Sequence, residues 1–213
     1  NVPHFASENN TQPGMPKYRD INGDGVVDSN DCTVIGNGLP VHTGGFTNNF
    51  AYAGFVLSIF FQWSYGNDVI NYNRVKLESL DGRHINQLAT VKDRWTPRTV
   101  NANGTITEGN YTNYLWAVNR GLSNIHTSRE VEDASFLRLK NIQLGYRLPN
   151  KVLRRWGLSN LRFYVSAQNL WTWTKYTGYD PEVSTRNSAM TRGFDYSAYP
   201  KATTYTFGIE LGL

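Results

Sequence analysis

From Leu161 to Gln168 the chain alternates without a break: Leu161, Phe163, Val165 and Ala167 are apolar, while Arg162, Tyr164, Ser166 and Gln168 carry polar groups. Successive side chains of an extended chain point to opposite faces, so this period predicts a strand that is dry on one side and wet on the other. The period recurs. In Phe55–Tyr65 the residues Phe55, Leu57, Ile59, Phe61 and Trp63 share a face against Ser58, Gln62 and Ser64, with Phe60 interrupting the polar side. Thr204–Leu213 sets Tyr205, Phe207, Ile209, Leu211 and Leu213 against Thr204, Thr206, Gly208 and Glu210. Phe46, Phe50 and Tyr52 continue an apolar face over Gly44–Tyr52, which joins the Phe55 strand through the tight turn Ala53-Gly54. In Ser135–Leu148 the parity changes. Ile142, Leu144, Tyr146 and Leu148 face one way and Leu137 and Leu139 the other, which predicts a bulge near Lys140 or Asn141.

The connections fall into two kinds. Short turns follow Tyr52 and Leu148, the second with about one helical turn in Lys151–Asn160; long connections precede Gly44 and follow Tyr65 and Thr174. Residues 1–13 are polar and turn-forming. Asn67–Ala134 does not alternate: Val69, Tyr72, Leu77 and Leu80, then Ile85, Leu88, Val91 and Trp95, have helical spacing broken at Asp81-Gly82, which predicts two short helices. Short turns at one end and long loops at the other are the pattern of an up-and-down membrane barrel. Trp171, Trp173, Tyr176 and Tyr179 then stand where an aromatic girdle would meet headgroups. The fold class expected is all-β, strands of a transmembrane antiparallel β-barrel with long extracellular loops. Residues 1–43 form an outer loop segment, and 44–213 the strands with their loops. Five strands cannot close a barrel, because even the smallest use about eight, so the chain is expected to be a piece of a larger wall. The last strand would meet Leu161–Thr174 on one edge and need a partner from elsewhere on the other.

Composition narrows the picture further. An apolar fraction of 39% in 213 residues excludes disorder, and a net charge of +4 spread along the chain gives no nucleic-acid footprint. The lone Cys32 excludes an intrachain disulfide. The longest mostly apolar run, Phe55–Phe61, is far short of the roughly 20 residues of a membrane helix, whereas about 9 to 11 suffice for a tilted membrane strand. Residues 1–10 have no secretory leader pattern, so the beginning of an exported protein is expected upstream. His4, His42, His84 and His126 are scattered, and no nucleophile elbow or metalloprotease motif occurs, so no enzyme is expected. Trp95, Tyr111, Tyr114 and Trp116 have the faces to stack on a sugar, although packing within the loop is the commoner use of such aromatics.

One motif carries candidate chemistry. Asp20, Asn22, Asp24 and Asp28 stand at positions 1, 3, 5 and 9 of an EF-hand-like loop, Val26 supplies a backbone carbonyl at position 7, and Gly25 sits at the sharp turn. A hard cation needs about six or more oxygens converging on one point, which this spacing allows. Asp31 replaces the usual Glu at position 12, and its shorter side chain favours one-oxygen binding, which weakens calcium and admits magnesium. The alternative is a metal-free Asn/Gly/Asp turn cluster.

Several stretches resemble one family. Tyr164-Val165-Ser166-Ala167-Gln168-Asn169-Leu170, Thr174-Lys175-Tyr176 and Gly178-Tyr179-Asp180-Pro181-Glu182 are similar to the SusC/RagA family of TonB-linked outer-membrane transporters. So are Gly45-Phe46-Thr47-Asn48-Asn49-Phe50, Tyr65-Gly66-Asn67, Arg94-Trp95-Thr96, Ser135 to Asn141, Leu144-Gly145-Tyr146 and Tyr205-Thr206-Phe207-Gly208. The resemblance implies that these are the C-terminal strands of a large transmembrane antiparallel β-barrel of about 22 strands in the outer membrane, with an N-terminal plug, a TonB-contacting segment and a SusD-like surface lipoprotein as lid, and with oligosaccharides or peptides as cargo. Neither plug nor TonB segment is on this chain. The departures are Leu213 where the family usually ends in an aromatic, and Asp31 in the aspartate loop. The competing reading is a soluble extracellular module with the aspartate loop as half of a dockerin; a dockerin repeats its loop, and here there is one copy.

Overall fold

The computed structural model describes residues 4–5, 13–80, 86–112, 114–116, 126–183 and 192–212. The strands are β1 (His4–Phe5), β2 (Val26–Val27), β3 (His42–Tyr52), β4 (Phe55–Tyr65), β5 (Asp68–Asn71), β6 (Thr99–Val100), β7 (Ile106–Thr107), β8 (Val131–Asp133), β9 (Phe136–Arg147), β10 (Asn160–Thr174), β11 (Phe194–Asp195) and β12 (Thr204–Gly212); the α-helices are α1 (Tyr72–Leu77) and α2 (Asn150–Leu153). By compactness the chain divides into residues 1–35 with 71–130, and residues 36–70 with 131–213. The first long strand, β3, begins at His42.

The second unit contains an antiparallel sheet in the order β12-β10-β9-β4-β3. Its five strands are the five that alternate in sequence, each paired with the next of the five along the chain. At 9 to 15 residues each is long enough to cross a hydrocarbon core. β3 and β4 are joined by a two-residue turn with φ of 47° at Ala53 and 89° at Gly54, the doubly left-handed geometry whose twist matches that of a hairpin. The register aligns the apolar sets. Leu57 lies between Phe50 and Leu144, Ile142 between Ile59 and Ala167, and Val165 between Leu144 and Phe207. One apolar face therefore crosses all five strands, interrupted on β3 by Asn48 opposite Ile59, and much of it is open, with Phe207 78% exposed and Ile209 67%.

The expected bulge is present. β4 pairs Phe60 with Asn141 and Phe61 with Leu139, leaving Lys140 as the extra residue, and β10 jumps from Gln168 to Trp171 at the same level. The extra residue moves Leu137 and Leu139 onto the face of Ile142 and Leu144, which resolves the parity break in the sequence. The interruption at Phe60 also has a cause. Its ring lies against Gly45 on β3, where a Cβ would fall 2.8 Å from the ring, so the aromatic fills space the glycine leaves.

Two positions depart from the expected lipid face. Leu161 has the right parity but is buried, as is Leu153 in α2, which packs against β10. Ala167 is small and shaded between Ile142 and Tyr205. The same unit holds a second sheet, β11-β5-β8, that no alternation in the sequence predicts. Val69, Ala134 and Tyr176 form its small core. Tyr176 is thus an interior residue rather than part of an aromatic girdle, while Trp171, Trp173 and Tyr179 are exposed.

The first unit pairs β1 with β2 in parallel and β6 with β7 antiparallel. Of the two expected helices, α1 starts at an Asn71 cap, whose side-chain oxygen accepts the Arg74 N–H at 3.1 Å. The second is a 3-10 helix at Ala89–Asp93. Ile85, the Asp81-Gly82 break and Leu213 lie outside the described residues.

Candidate functional site

The face of the five-stranded sheet opposite the apolar one is mainly polar, with Val56 and Phe60 of β4 and Phe136 of β9 as the apolar exceptions. Ser58 pairs with Gln143 and Asn49, Ser166 with Gln143 and Thr206, and Gln62 with Arg138. Near the end of short turns, Arg162 donates from Nη1 to Glu210 Oε1 at 3.1 Å, a cross-strand ion pair between directly opposed residues.

At the other end this face carries a denser network. Arg138 is 2% exposed, and its guanidinium donates from Nε to Thr172 Oγ1 at 2.8 Å, from Nη1 to Glu182 Oε2 at 2.9 Å and from Nη2 to Asp180 Oδ1 at 2.5 Å. Glu182 also takes Lys140 at 3.4 Å, an ion pair with Lys201, and a hydrogen bond from Gln62 Nε2 at 3.4 Å. The turn is closed on itself, since the Glu182 N–H donates to Asp180 Oδ1 at 2.9 Å. Burial pushes both carboxyls up, but the Arg138 hydrogen bond at Asp180 and the Lys201 ammonium at Glu182 outweigh it and hold each below the usual carboxylate range. In the same unit, Tyr176 donates from its hydroxyl to the buried Asp195 Oδ2 at 2.6 Å, and Thr177 donates from N and Oγ1 to Glu132 at 2.8 Å. Burial, then the Asp195 hydrogen bond, raise the Tyr176 phenol, so it stays neutral as the donor. Arg138 and Asp180 lie 42 residues apart in sequence, and Glu132 and Thr177 lie 45 apart. No short motif announces such pairs; a charged residue on the wet face of a strand and a Gly-Tyr-Asp-Pro-Glu turn are the only signals.

The aspartate loop lies in the first unit. Gly23 and Gly25 have φ of 79° and 88°, the left-handed turn the motif requires. Asp20 accepts the Gly23 N–H at 2.6 Å and the Gly25 N–H at 2.8 Å on its two oxygens; Asp24 Oδ1 accepts the Val26 N–H at 2.8 Å, and Asp28 Oδ1 the Asn30 N–H at 2.7 Å. Asn22 Oδ1 accepts the Asp24 N–H, and Asn22 Nδ2 donates to Asp24 Oδ2, both at 2.9 Å. Asp31 accepts from Asp28 N at 2.9 Å and Ile21 N at 2.7 Å, and these N–H groups hold its carboxyl below the usual range. The spacing thus brings Asp20, Asn22, Asp24, Asp28 and Asp31 into one twelve-residue loop. Among the described residues, however, no three His, Cys, Asp or Glu side chains converge as a ligand set, because the carboxylates turn onto backbone N–H groups instead.

The same unit buries Glu78, 1% exposed, under Arg129 Nη2 at 2.6 Å, Arg74 Nε at 3.1 Å, Thr90 Oγ1 at 2.9 Å and the Tyr114 hydroxyl at 3.2 Å. The Arg129 guanidinium lies over the Tyr114 and Trp116 rings, so these two aromatics are engaged within the loop. Burial pushes the Glu78 carboxyl up, but the bond to Arg129, with Thr90 and Arg74, brings it below its ordinary 4.5. A carboxyl depressed by folding stabilises above its unfolded pKa, and the contribution is lost as pH falls through the folded value. Acidification from pH 7 to below 4.5 is therefore expected to lower the urea midpoint of this unit, read by its near-ultraviolet signal. Glu78→Gln is expected to lower the midpoint at pH 7 and to remove this group's share of the acid sensitivity.

A long-stranded antiparallel sheet with one open, mainly apolar face, a mainly polar opposite face and long connections at one end is the wall of a transmembrane β-barrel. Comparison with known proteins agrees. No family model matches the chain. It is similar to the TonB-dependent receptor P3 of Formosa agariphila, with 34% identity over 209 residues, 94% of this chain and 19% of that protein. It is also similar to the TonB-dependent receptor SusC of Bacteroides thetaiotaomicron, with 28% identity over 210 residues, 96% of this chain and 18% of that protein. Among solved structures, the RagAB peptide importer in its closed-closed state matches with a TM-score of 0.69 and 27% identity over 93% of this chain and 21% of that one. The chain spans about a fifth of the length of these relatives. It belongs to the SusC/RagA family of TonB-dependent outer-membrane receptors, whose members here are receptors and importers rather than enzymes.

Proposed function

We propose that this chain forms part of the wall and outer loops of an importer that carries oligosaccharides or peptides across the outer membrane. The remaining strands and a plug complete the barrel, a segment outside this chain contacts TonB, and a SusD-like lipoprotein covers the outer end. The observation that carries the reading is the register that gathers Phe50, Leu57, Leu144, Val165 and Phe207 on one lipid-ready face and leaves Ser58, Gln143, Ser166 and Thr206 on the other. A soluble module would bury that apolar face. The test is cargo uptake by cells that carry or lack the complete receptor, with graded oligosaccharides and peptides, before and after the membrane is de-energised. Energy-dependent uptake of one class supports the reading; identical uptake with and without the receptor rejects it. Co-purification of a surface lipoprotein in mild detergent tests the lid.

We further infer one calcium ion, with magnesium as a weaker occupant, held by Asp20, Asn22, Asp24, Asp28 and Asp31 with the Val26 carbonyl. The support is chemical: among the described residues none of the four aspartates has a Lys or Arg ion-pair partner, and each carboxylate keeps lone pairs beyond those its N–H donors use. Terbium luminescence on the complete receptor is expected to titrate, to be competed by calcium, and to fall at least about tenfold in affinity in Asp20→Asn/Asp24→Asn. Equal luminescence in the variant would remove the site.

A further inference from the structure

Residues 175–183, which follow β10, turn over the polar face of the sheet. Arg138 sits opposite Gln62 and Thr172 on the polar face of the sheet, so the Asp180-Pro181-Glu182 turn that it holds lies over that face, not over the lipid side. We propose that this turn is a fixed inner rim at the outer mouth of the barrel, clamped by Arg138 as its positioning residue, and that it sets the largest cargo able to pass. The proposal rests on the importer reading and adds a size-determining element to it.

Three features make the rim a fixture rather than a lid. All three guanidinium nitrogens of Arg138 are engaged, by Thr172, Glu182 and Asp180, and its planar fork leaves little freedom once they are bound. Arg138 and Asp180 are both buried, so salt screens their pair little. The stretch leading to the turn is tied at two adjacent residues: Tyr176 N donates to Thr174 Oγ1 at 3.1 Å and its hydroxyl to Asp195, while Thr177 is held by Glu132. The return stretch is tied as well, with Asn169 Nδ2 donating to the Ala202 carbonyl at 3.1 Å and Thr203 Oγ1 to the Asn169 carbonyl at 3.0 Å. Asn169 has a φ of 52° and stands at the bulge opposite Lys140, so the irregularity in β10 is also the point where the loop is pinned. Glu182 meanwhile gathers Arg138, Lys140 and Lys201, all on one carboxylate that projects over the wet face.

The test uses the complete receptor in its membrane. The triple variant Arg138→Met/Asp180→Asn/Glu182→Gln removes the clamp without leaving a buried charge unpaired, so the barrel is expected to assemble. Amide exchange at Glu182, whose N–H is held by Asp180, is expected to speed by about tenfold or more. Uptake across a ladder of cargo lengths is expected to extend to larger members while the shortest still enter at the native rate. Unchanged exchange would overturn the clamp, and faster exchange with an unchanged size limit would overturn the rim. If the native receptor moves no cargo at all, the importer reading fails, and the exchange arm still decides the clamp by itself.

Discussion

Replacing Arg138 alone by alanine is expected to destabilise the assembled barrel by about 3–5 kcal/mol, the cost of leaving a buried charge without its partner. Arg138 is 2% exposed and Asp180 5%, so neither end of the pair can turn to water when the other is lost. Asp180 would keep only the Glu182 N–H, and Glu182 would keep the part-exposed lysines Lys140 and Lys201, which screen it from outside. The single substitution is therefore far worse than Arg138→Met/Asp180→Asn/Glu182→Gln, where the buried pair leaves together with Glu182 and only the part-exposed Lys140 and Lys201 stay charged. The check is a urea or temperature series on the complete receptor in detergent, scored by the shift in gel mobility on heating that reports a closed barrel. A midpoint for Arg138→Ala within about 1 kcal/mol of the native protein would mean that the pair is hydrated and contributes as an exposed ion pair does.

The second large effect is expected on the opposite face. Lys at Ile59 should cost about 2–4 kcal/mol, since a charge at the midplane of a membrane strand meets hydrocarbon. Ile59 is the fifth residue of the 11-residue β4 and stands opposite Asn48 and Ile142. Ser58, one residue away, pairs with Asn49 and Gln143 on the wet face, where Lys should be tolerated with little loss. The two substitutions differ only in parity, so their difference isolates the facing of the sheet from any general effect of a lysine in β4. Equal cost at both positions would remove the assignment of faces.

Much of the sheet is legible in the order of the amino acids. A strand has a period of two, and a sheet with one face in lipid enforces it at nearly every residue, so β3, β4, β9, β10 and β12 each show as alternation. The bulge at Lys140 is legible because an extra residue shifts the parity of everything after it, here Leu137 and Leu139 against Ile142 and Leu144. The Ala53-Gly54 turn is legible from its length and its glycine. The aspartate loop is legible because its residues lie within twelve positions, but its spacing does not determine where the carboxylates point, and they lie on backbone N–H groups.

Other features have no period to display. β5, β8 and β11 are two to four residues long and come from widely separated segments, too short for alternation and too distant for a motif. Tyr176 reads as one more girdle aromatic because nothing near it announces Asp195. Leu161 keeps its strand parity but is buried, which parity cannot express. By itself the sequence determined which residues alternate and hence which face of each strand is dry, because that depends only on neighbours along the chain. The tertiary structure alone decided that Arg138 would bury itself against Asp180 and Glu182, and that Glu78 would collect Arg74, Arg129, Thr90 and Tyr114. A buried charge is stable only where several distant segments bring their donors to one point, and that convergence is a property of the folded chain.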